Sequence, residues 1–265
     1  MRYAIALLIA LTFIFPGNAK AETPENTAAA ASRAAIGAQI PDVSLTDSNG
    51  APVSLANYRG KPLLISLVYT ACTDVCPSII ENLYPSIEVA QSSLGIDSFS
   101  IITVGFDTVH DTPARMRSFA RSRGVDLPNW HFLSGDAASV DALANAVGFT
   151  IVPSSGGFDH MAQVSVVDSG GVIYQQIAGG VFSPPAVVEP LKDLIYDRRK
   201  PMTSLAGIID RVKLFCTVYN PNTGRYYFNY SLFISLAIGL GCLLFVFGWL
   251  LKEFRRSGGT GPGQA

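Results

Sequence analysis

The stretch Leu63-Leu64-Ile65-Ser66-Leu67-Val68-Tyr69-Thr70-Ala71-Cys72-Thr73-Asp74-Val75-Cys76-Pro77 decides how this chain is read. Leu63 to Tyr69 is a nearly continuous apolar run, the pattern of a central strand buried on both faces. Pro77 suits the first turn of a helix, where its missing N–H costs nothing, and Ile79, Ile80, Leu83, Ile87 and Ala90 follow at helical spacing. Cys72 and Cys76 therefore fall where a strand gives way to a helix. Thiols spaced this way share one face of a helical turn, within reach of either a disulfide or joint coordination of one ion. A helix start also offers unpaired N–H groups and the positive end of the dipole, which favour thiolate, the form that attacks and ligates.

Working outward, strand and helix signals alternate. Leu45 to Leu55 holds an Asn49-Gly50 turn between two short β-like pieces, a hairpin. Ser98 to Phe106 is a second buried strand, and Asp111-Thr112-Pro113 gives a cap and a proline at the start of a helix that ends near Gly124. Trp130 to Leu133 precedes a capped helix from Asp136 to Val147, stopped by Gly148. Ala162 to Val167 and Val172 to Ile177 flank a Gly-rich turn, and a last helix runs from about Pro184 to Arg198. The order predicts an α/β fold with a central mixed sheet flanked by helices, whose sites collect at the carboxyl ends of strands.

The ends of the chain address it to a membrane. Residues 1–21 combine Arg2, an apolar stretch from Ala4 to Phe15 and Ala19-Lys20-Ala21, the pattern of a cleavable secretory signal peptide. Residues 22–36, rich in Ala, Thr and Ser, read as a flexible tether. A functional domain over 37–200 and a juxtamembrane segment over 201–231, with a turn at Asn220 to Gly224, lead to an apolar run. That run, 232–251, is long enough to cross a hydrocarbon core of ~30 Å as a helix. Lys252, Arg255 and Arg256 follow at once, so the positive-inside rule puts the 252–265 tail in the cytoplasm and the domain on the far side, with Tyr230 and Trp249 at the two interfaces. A net charge of −1 argues against nucleic acid as a partner. The four cysteines do not form a disulfide framework, because Cys242 lies within the apolar segment and Cys216 far from the paired motif.

Two thiolates and an imidazole suit copper in either oxidation state, Cu(I) or Cu(II). His160, in Phe158-Asp159-His160-Met161 after a Gly-rich stretch, is the best third ligand, with Asp159 or another acceptor to orient its ring. His131, next to Trp130 in an apolar piece, reads as packed, and His110 as solvated. Met161, entering a buried strand, reads as core, and Asp74 as a solvated carboxylate of the first turn.

At these residues the chain resembles the Sco/SenC family, thioredoxin-like copper chaperones for cytochrome c oxidase assembly. Cys72 to Pro77 is similar to the family's CxxxCP motif, Asp159-His160 to its distant Asp-His, and Phe106 to Pro113 to its Asp-Pro-x-x-Asp-Thr-Pro segment. Thr73 stands where the family has proline, and Asp107-Thr108 where it has Asp-Pro. The resemblance spans roughly Gly37 to Ile195, and many family members carry their anchor at the N-terminus rather than the C-terminus. It implies a thioredoxin-like fold and copper held by Cys72, Cys76 and His160. It also implies delivery to the copper centre of oxidase subunit II, with another periplasmic copper chaperone or thiol reductase as a further partner, and a bacterial inner-membrane location with the domain in the periplasm. Two alternatives stay open. Cys72 and Cys76 could form a redox-active pair that keeps the oxidase's copper-ligand cysteines reduced, although thioredoxin-like enzymes use the shorter CxxC. A peroxiredoxin-type peroxidase would match Thr73-Asp74-Val75-Cys76 to the end of PxxxTxxC but lacks the proline at Tyr69.

Overall fold

The structure, a computed structural model, describes residues 24–72, 75–154, 157–196, 209, 212 and 216–257. The expected signal peptide, Thr73, Asp74, the side chain of Cys76, and most of 197–215 lie outside the described residues.

The apolar run 63–69 forms β3 (Leu63–Val68), every residue of it buried. It pairs in parallel with β4 (Ser100–Gly105), which pairs in parallel with β5 (Trp130–Ser134). The expected Asn-Gly hairpin is β1 (Ser44–Asp47) with β2 (Pro52–Ser54), and β1 adds antiparallel to β5. On the other side of β3, the antiparallel strands β8 (Gln163–Val167) and β9 (Ile173–Ala178) complete a seven-stranded mixed sheet in the order β2-β1-β5-β4-β3-β8-β9.

Two crossovers, β3 to β4 through α2 (Val75–Leu94) and β4 to β5 through α3 (Pro113–Ser122), run in the same direction across the sheet. Right-handed connections of this kind put both helices on one face. Arg123, just after α3, accordingly reaches Glu81 of α2 at 3.0 Å, and α5 (Pro184–Ile195) packs along α2. Thr112 caps α3 and Asp136 caps α4 (Ala137–Ala146) through side-chain oxygens that accept from the Arg115 and Ser139 N–H groups. After α4 the chain lies over the polar side of β8 and β9, where Gln163 and Gln176 both donate to the Val147 carbonyl.

Three elements depart from expectation. Residues 24–34, read as tether, form helix α1 (Pro24–Ala34), with Ala28 and Ser32 buried. Its small side chains let the backbone at Ala31 approach Gly148, whose positive φ of 63° and missing Cβ leave the room. Residues 151–154 and 157–160 pair as a small antiparallel hairpin, β6 (Ile151–Ser154) with β7 (Gly157–His160). The juxtamembrane turn is the tip of another, β10 (Thr217–Asn220) with β11 (Arg225–Phe228). Helix α6 (Ser231–Ser257) follows, and within it Phe233–Glu253 is long and apolar enough to cross a membrane.

Candidate metal centre

The site forms where β3 ends. The Phe106 N–H donates to the Val68 carbonyl at 2.8 Å, carrying the pairing one step past the strand. Tyr69 then turns its ring into an aromatic cluster, with centroids 5.2 Å from Phe106 and 5.3 Å from Phe158. Thr70 is held by Asp111, whose Oδ1 accepts from the Thr70 N–H at 2.8 Å and from its hydroxyl at 2.7 Å. The other carboxylate oxygen accepts from the Asp107 N–H at 3.0 Å. The Asp107–Asp111 segment thus braces the thiol loop. Asp111 is buried, and desolvation raises its pKa against the lowering effect of these hydrogen bonds. The loop then closes by a bond from the Cys72 N–H to the Tyr69 carbonyl at 3.2 Å, and Cys72 packs half-buried against the core. Cys76 lies in the first turn of α2.

His160 is the last residue of β7. Its ring sits among Phe149, Phe106 and Tyr69, with centroids at 5.3, 5.4 and 6.0 Å. Nδ1 lies 3.4 Å from the Met161 carbonyl, which rather than Asp159 is the acceptor that orients the ring. Burial among these rings lowers the pKa of His160, outweighing the opposing effects of the Met161 carbonyl and the Asp159 charge. The imidazole is therefore held in its neutral form, the form in which it ligates a metal.

Tyr69 links the two halves: its backbone is part of the thiol loop and its ring touches His160. His160 also lines a cleft of about 530 Å³ with Asp159, Met161, Ser78 from the first turn of α2 and Glu25 of α1. Among the described residues no set of three metal-type side chains is assembled. The donor chemistry nonetheless fits a soft ion, since a neutral imidazole and the first turn of α2, which carries Cys76, border one partly apolar cleft, and the thiol loop adjoins the imidazole through Tyr69.

Other candidates separate from this site. His110 is exposed as expected, with Nδ1 2.8 Å from Asp107 Oδ2. His131 is not packed as expected: it projects from the outward side of β5 against Tyr58, because alternation along the strand turns Trp130 and Phe132 inward instead. Met161 is half-buried at the cleft wall rather than in the core. Cys216 is buried and Cys242 is exposed on α6, neither near the thiol loop in sequence. The aromatic cage of Tyr69, Phe106, Phe149 and Phe158 was not foreseen. Gly157 was its one local signal, because a Cβ there would stand 2.9 Å from the Tyr69 hydroxyl.

A mixed sheet flanked by helices, with thiols where the central strand meets its helix and a histidine on a neighbouring hairpin, defines a thioredoxin-like domain suited to thiol and soft-metal chemistry. The chain belongs to the SCO1/SenC family, whose model matches residues 33–196. That family comprises copper-binding proteins of cytochrome c oxidase assembly. The copper-bound ScoI of Bradyrhizobium japonicum is 27% identical, superposes with a TM-score of 0.50, and covers 59% of this chain and 99% of its own. BsSco, a member of the Sco family of cytochrome c oxidase assembly proteins with an identified disulfide switch, shares the fold at 18% identity and a TM-score of 0.53. That match covers 62% of this chain and 96% of BsSco. The SCO1 protein homolog of Bacillus subtilis is 25% identical over 104 residues, 38% of this chain and 51% of the relative. The chain spans about half the length of the curated relatives it matches.

Proposed function

We propose that this protein is a membrane-anchored copper chaperone that carries Cu(I) or Cu(II) as cargo on Cys72, Cys76 and His160 and delivers it to the copper centre of cytochrome c oxidase subunit II. The observation that carries the reading is the contact of Tyr69 with His160, which ties the thiol loop to the histidine hairpin. The residues suit a carrier that must also release its cargo. Burial keeps His160 neutral, Cys76 stands in the first turn of α2, and Cys72 is only half-buried, so ligands of an incoming protein can reach the loop. The bound ion would supply a soft Lewis acid whose ligands exchange one at a time.

Helix α6 is read as the membrane anchor. Lys252, Arg255 and Arg256 favour a cytoplasmic C-terminus and a periplasmic domain at a bacterial inner membrane, reached through the signal peptide of residues 1–21. The test is complementation of a deletion strain in the source organism. The Cys72→Ser and His160→Ala chains are expected to leave oxidase subunit II short of copper although they accumulate normally. Full oxidase copper in either strain would contradict the proposal.

A second reading is favoured by the position of Cys76 at a helix start, a setting that activates thiols for exchange. In it, Cys72 and Cys76 reduce the disulfide of the oxidase's copper-ligand cysteines. A reduction potential for the pair well below that of the target disulfide would support it, and one above would remove it.

A further inference from the structure

An isolated two-stranded hairpin is marginal in water, yet β10–β11 is locked to the domain on one face. Lys192 of α5, only 4% exposed, sends its Nζ to Glu189 Oε2 at 3.1 Å and to the Thr217 carbonyl at the start of β10 at 2.8 Å. The same Nζ lies 5.8 Å from the Tyr226 ring centroid. The Tyr226 hydroxyl donates to Glu189 Oε1 at 2.9 Å, completing the lock from β11. A buried ammonium demands such partners, and docking of the hairpin supplies two of them, the Thr217 carbonyl and the Tyr226 ring.

The hairpin is also joined to α6 without slack. The Asn229 N–H donates to the Cys216 carbonyl at 2.6 Å, and the Ser231 N–H to Asn229 Oδ1 at 2.9 Å. Phe228 packs on Tyr230 at 4.8 Å and stacks on Phe233 at 6.0 Å between centroids. The hairpin is therefore held to the domain by Lys192 and Tyr226 and joined to the first turn of α6 through Phe228, Asn229 and Phe233.

The outer face of the hairpin is apolar and aromatic. Strand alternation turns Tyr219 and Tyr226 toward the domain and leaves the directly paired Val218 and Tyr227 at 40% and 48% exposure. Arg225 extends this face, and Tyr230 beside it is 64% exposed. Side chains with an apolar body and a polar tip, next to a cation and at the start of an apolar helix, match the chemistry of a lipid headgroup layer.

We propose that the β10–β11 hairpin is a membrane-seated collar. Its outer face, Val218, Tyr227 and Tyr230, lies in the lipid headgroup layer, while Lys192 locks its inner face to α5. The domain, and with it the cleft at His160, is then held at one attitude to the bilayer, as suits a partner that is itself fixed in the membrane. The proposal rests on α6 crossing the membrane.

The test uses the full chain in vesicles of phosphatidylcholine and phosphatidylglycerol. Tyr227→Trp is expected to add a blue-shifted emission that headgroup spin-labelled lipid quenches. Parent chain whose Trp249 no lipid-borne label quenches would fail the membrane reading itself. Trp249 quenched, but an added tryptophan that emits as in water and is not quenched, would overturn the collar alone. The lock is read from Cys216 with the other three cysteines changed to Ser. Lys192→Met should raise its maleimide labelling rate about tenfold or more, the change expected from losing one charge-assisted hydrogen bond. Tyr226→Phe should raise it less, and it decides the question if Lys192→Met does not fold. Unchanged labelling in the folded variants would overturn the lock.

Discussion

Asp111→Ala removes the acceptor of three hydrogen bonds, from the Thr70 N–H, the Thr70 hydroxyl and the Asp107 N–H, at 2.8, 2.7 and 3.0 Å. Asp111 is 1% exposed, so alanine supplies nothing in its place, and water reaches the stranded donors only in part, past the half-buried Thr70 and Asp107. Each unsatisfied buried donor costs about 1–3 kcal/mol. Partial hydration at Thr70 and Asp107, and relief of burying a carboxylate, set the net loss at about 2–4 kcal/mol. For a domain of this size that lowers Tm by roughly 4–16 °C, read in a thermal melt of the full chain in detergent. Asp111→Asn keeps an acceptor for Thr70 and should lose less. Because burial raises the folded-state pKa of Asp111, the folded protein holds its proton to higher pH than the unfolded chain. Asp111 therefore subtracts stability as pH climbs from its ordinary value of 3.8 through the raised one. Asn removes this dependence, so its deficit relative to the parent should shrink as pH rises across that window. A loss within about 0.5 kcal/mol for Asp111→Ala, the range of a surface change, would refute the brace.

Gly157→Ala forces a Cβ onto a φ of 126° and to within 2.9 Å of the Tyr69 hydroxyl; a loss of about 1–3 kcal/mol in urea unfolding is expected, and none would mean that β7 and Tyr69 do not pack as described. Thr103→Val strands both the Ser66 hydroxyl and the Trp130 indole N–H, each 2.9 Å from Thr103 Oγ1. It should cost about 1–3 kcal/mol, whereas a neutral result would show that water enters between β4 and β5. Asp136→Ala should lower stability at neutral pH, because the carboxylate that caps α4 has a pKa below 3.8. Its stabilisation is present above that value and is lost as pH falls through the lowered pKa, so parent and variant melts should converge in acid; a constant gap would contradict the cap.

Much of this architecture was legible because local signals agreed. The run from Leu63 gave β3, Thr112-Pro113 and Asp136 marked the starts of α3 and α4, and Asn49-Gly50 marked the β1–β2 turn. The thiol loop fell at the carboxyl end of β3 for the same reason. What escaped depended on contacts distant in sequence. Helix α1 has small side chains and little apolar area, so its composition suggested a tether, and only the approach to Gly148 shows why it packs. The β6–β7 hairpin has no alternating apolar pattern and is defined by Phe158 and His160 meeting Tyr69 and Phe106. The β10–β11 hairpin showed only its turn, since the lysine that holds it, Lys192, lies on a helix well upstream.

The central claim is most directly tested by anaerobic copper titration of the fully reduced full-length chain in detergent, followed by its sulfur-to-copper(II) charge-transfer absorption. The account predicts one copper per chain and loss of the band in each of Cys72→Ser, Cys76→Ser and His160→Ala. No copper bound by the reduced parent, or an unchanged band in His160→Ala, would contradict it.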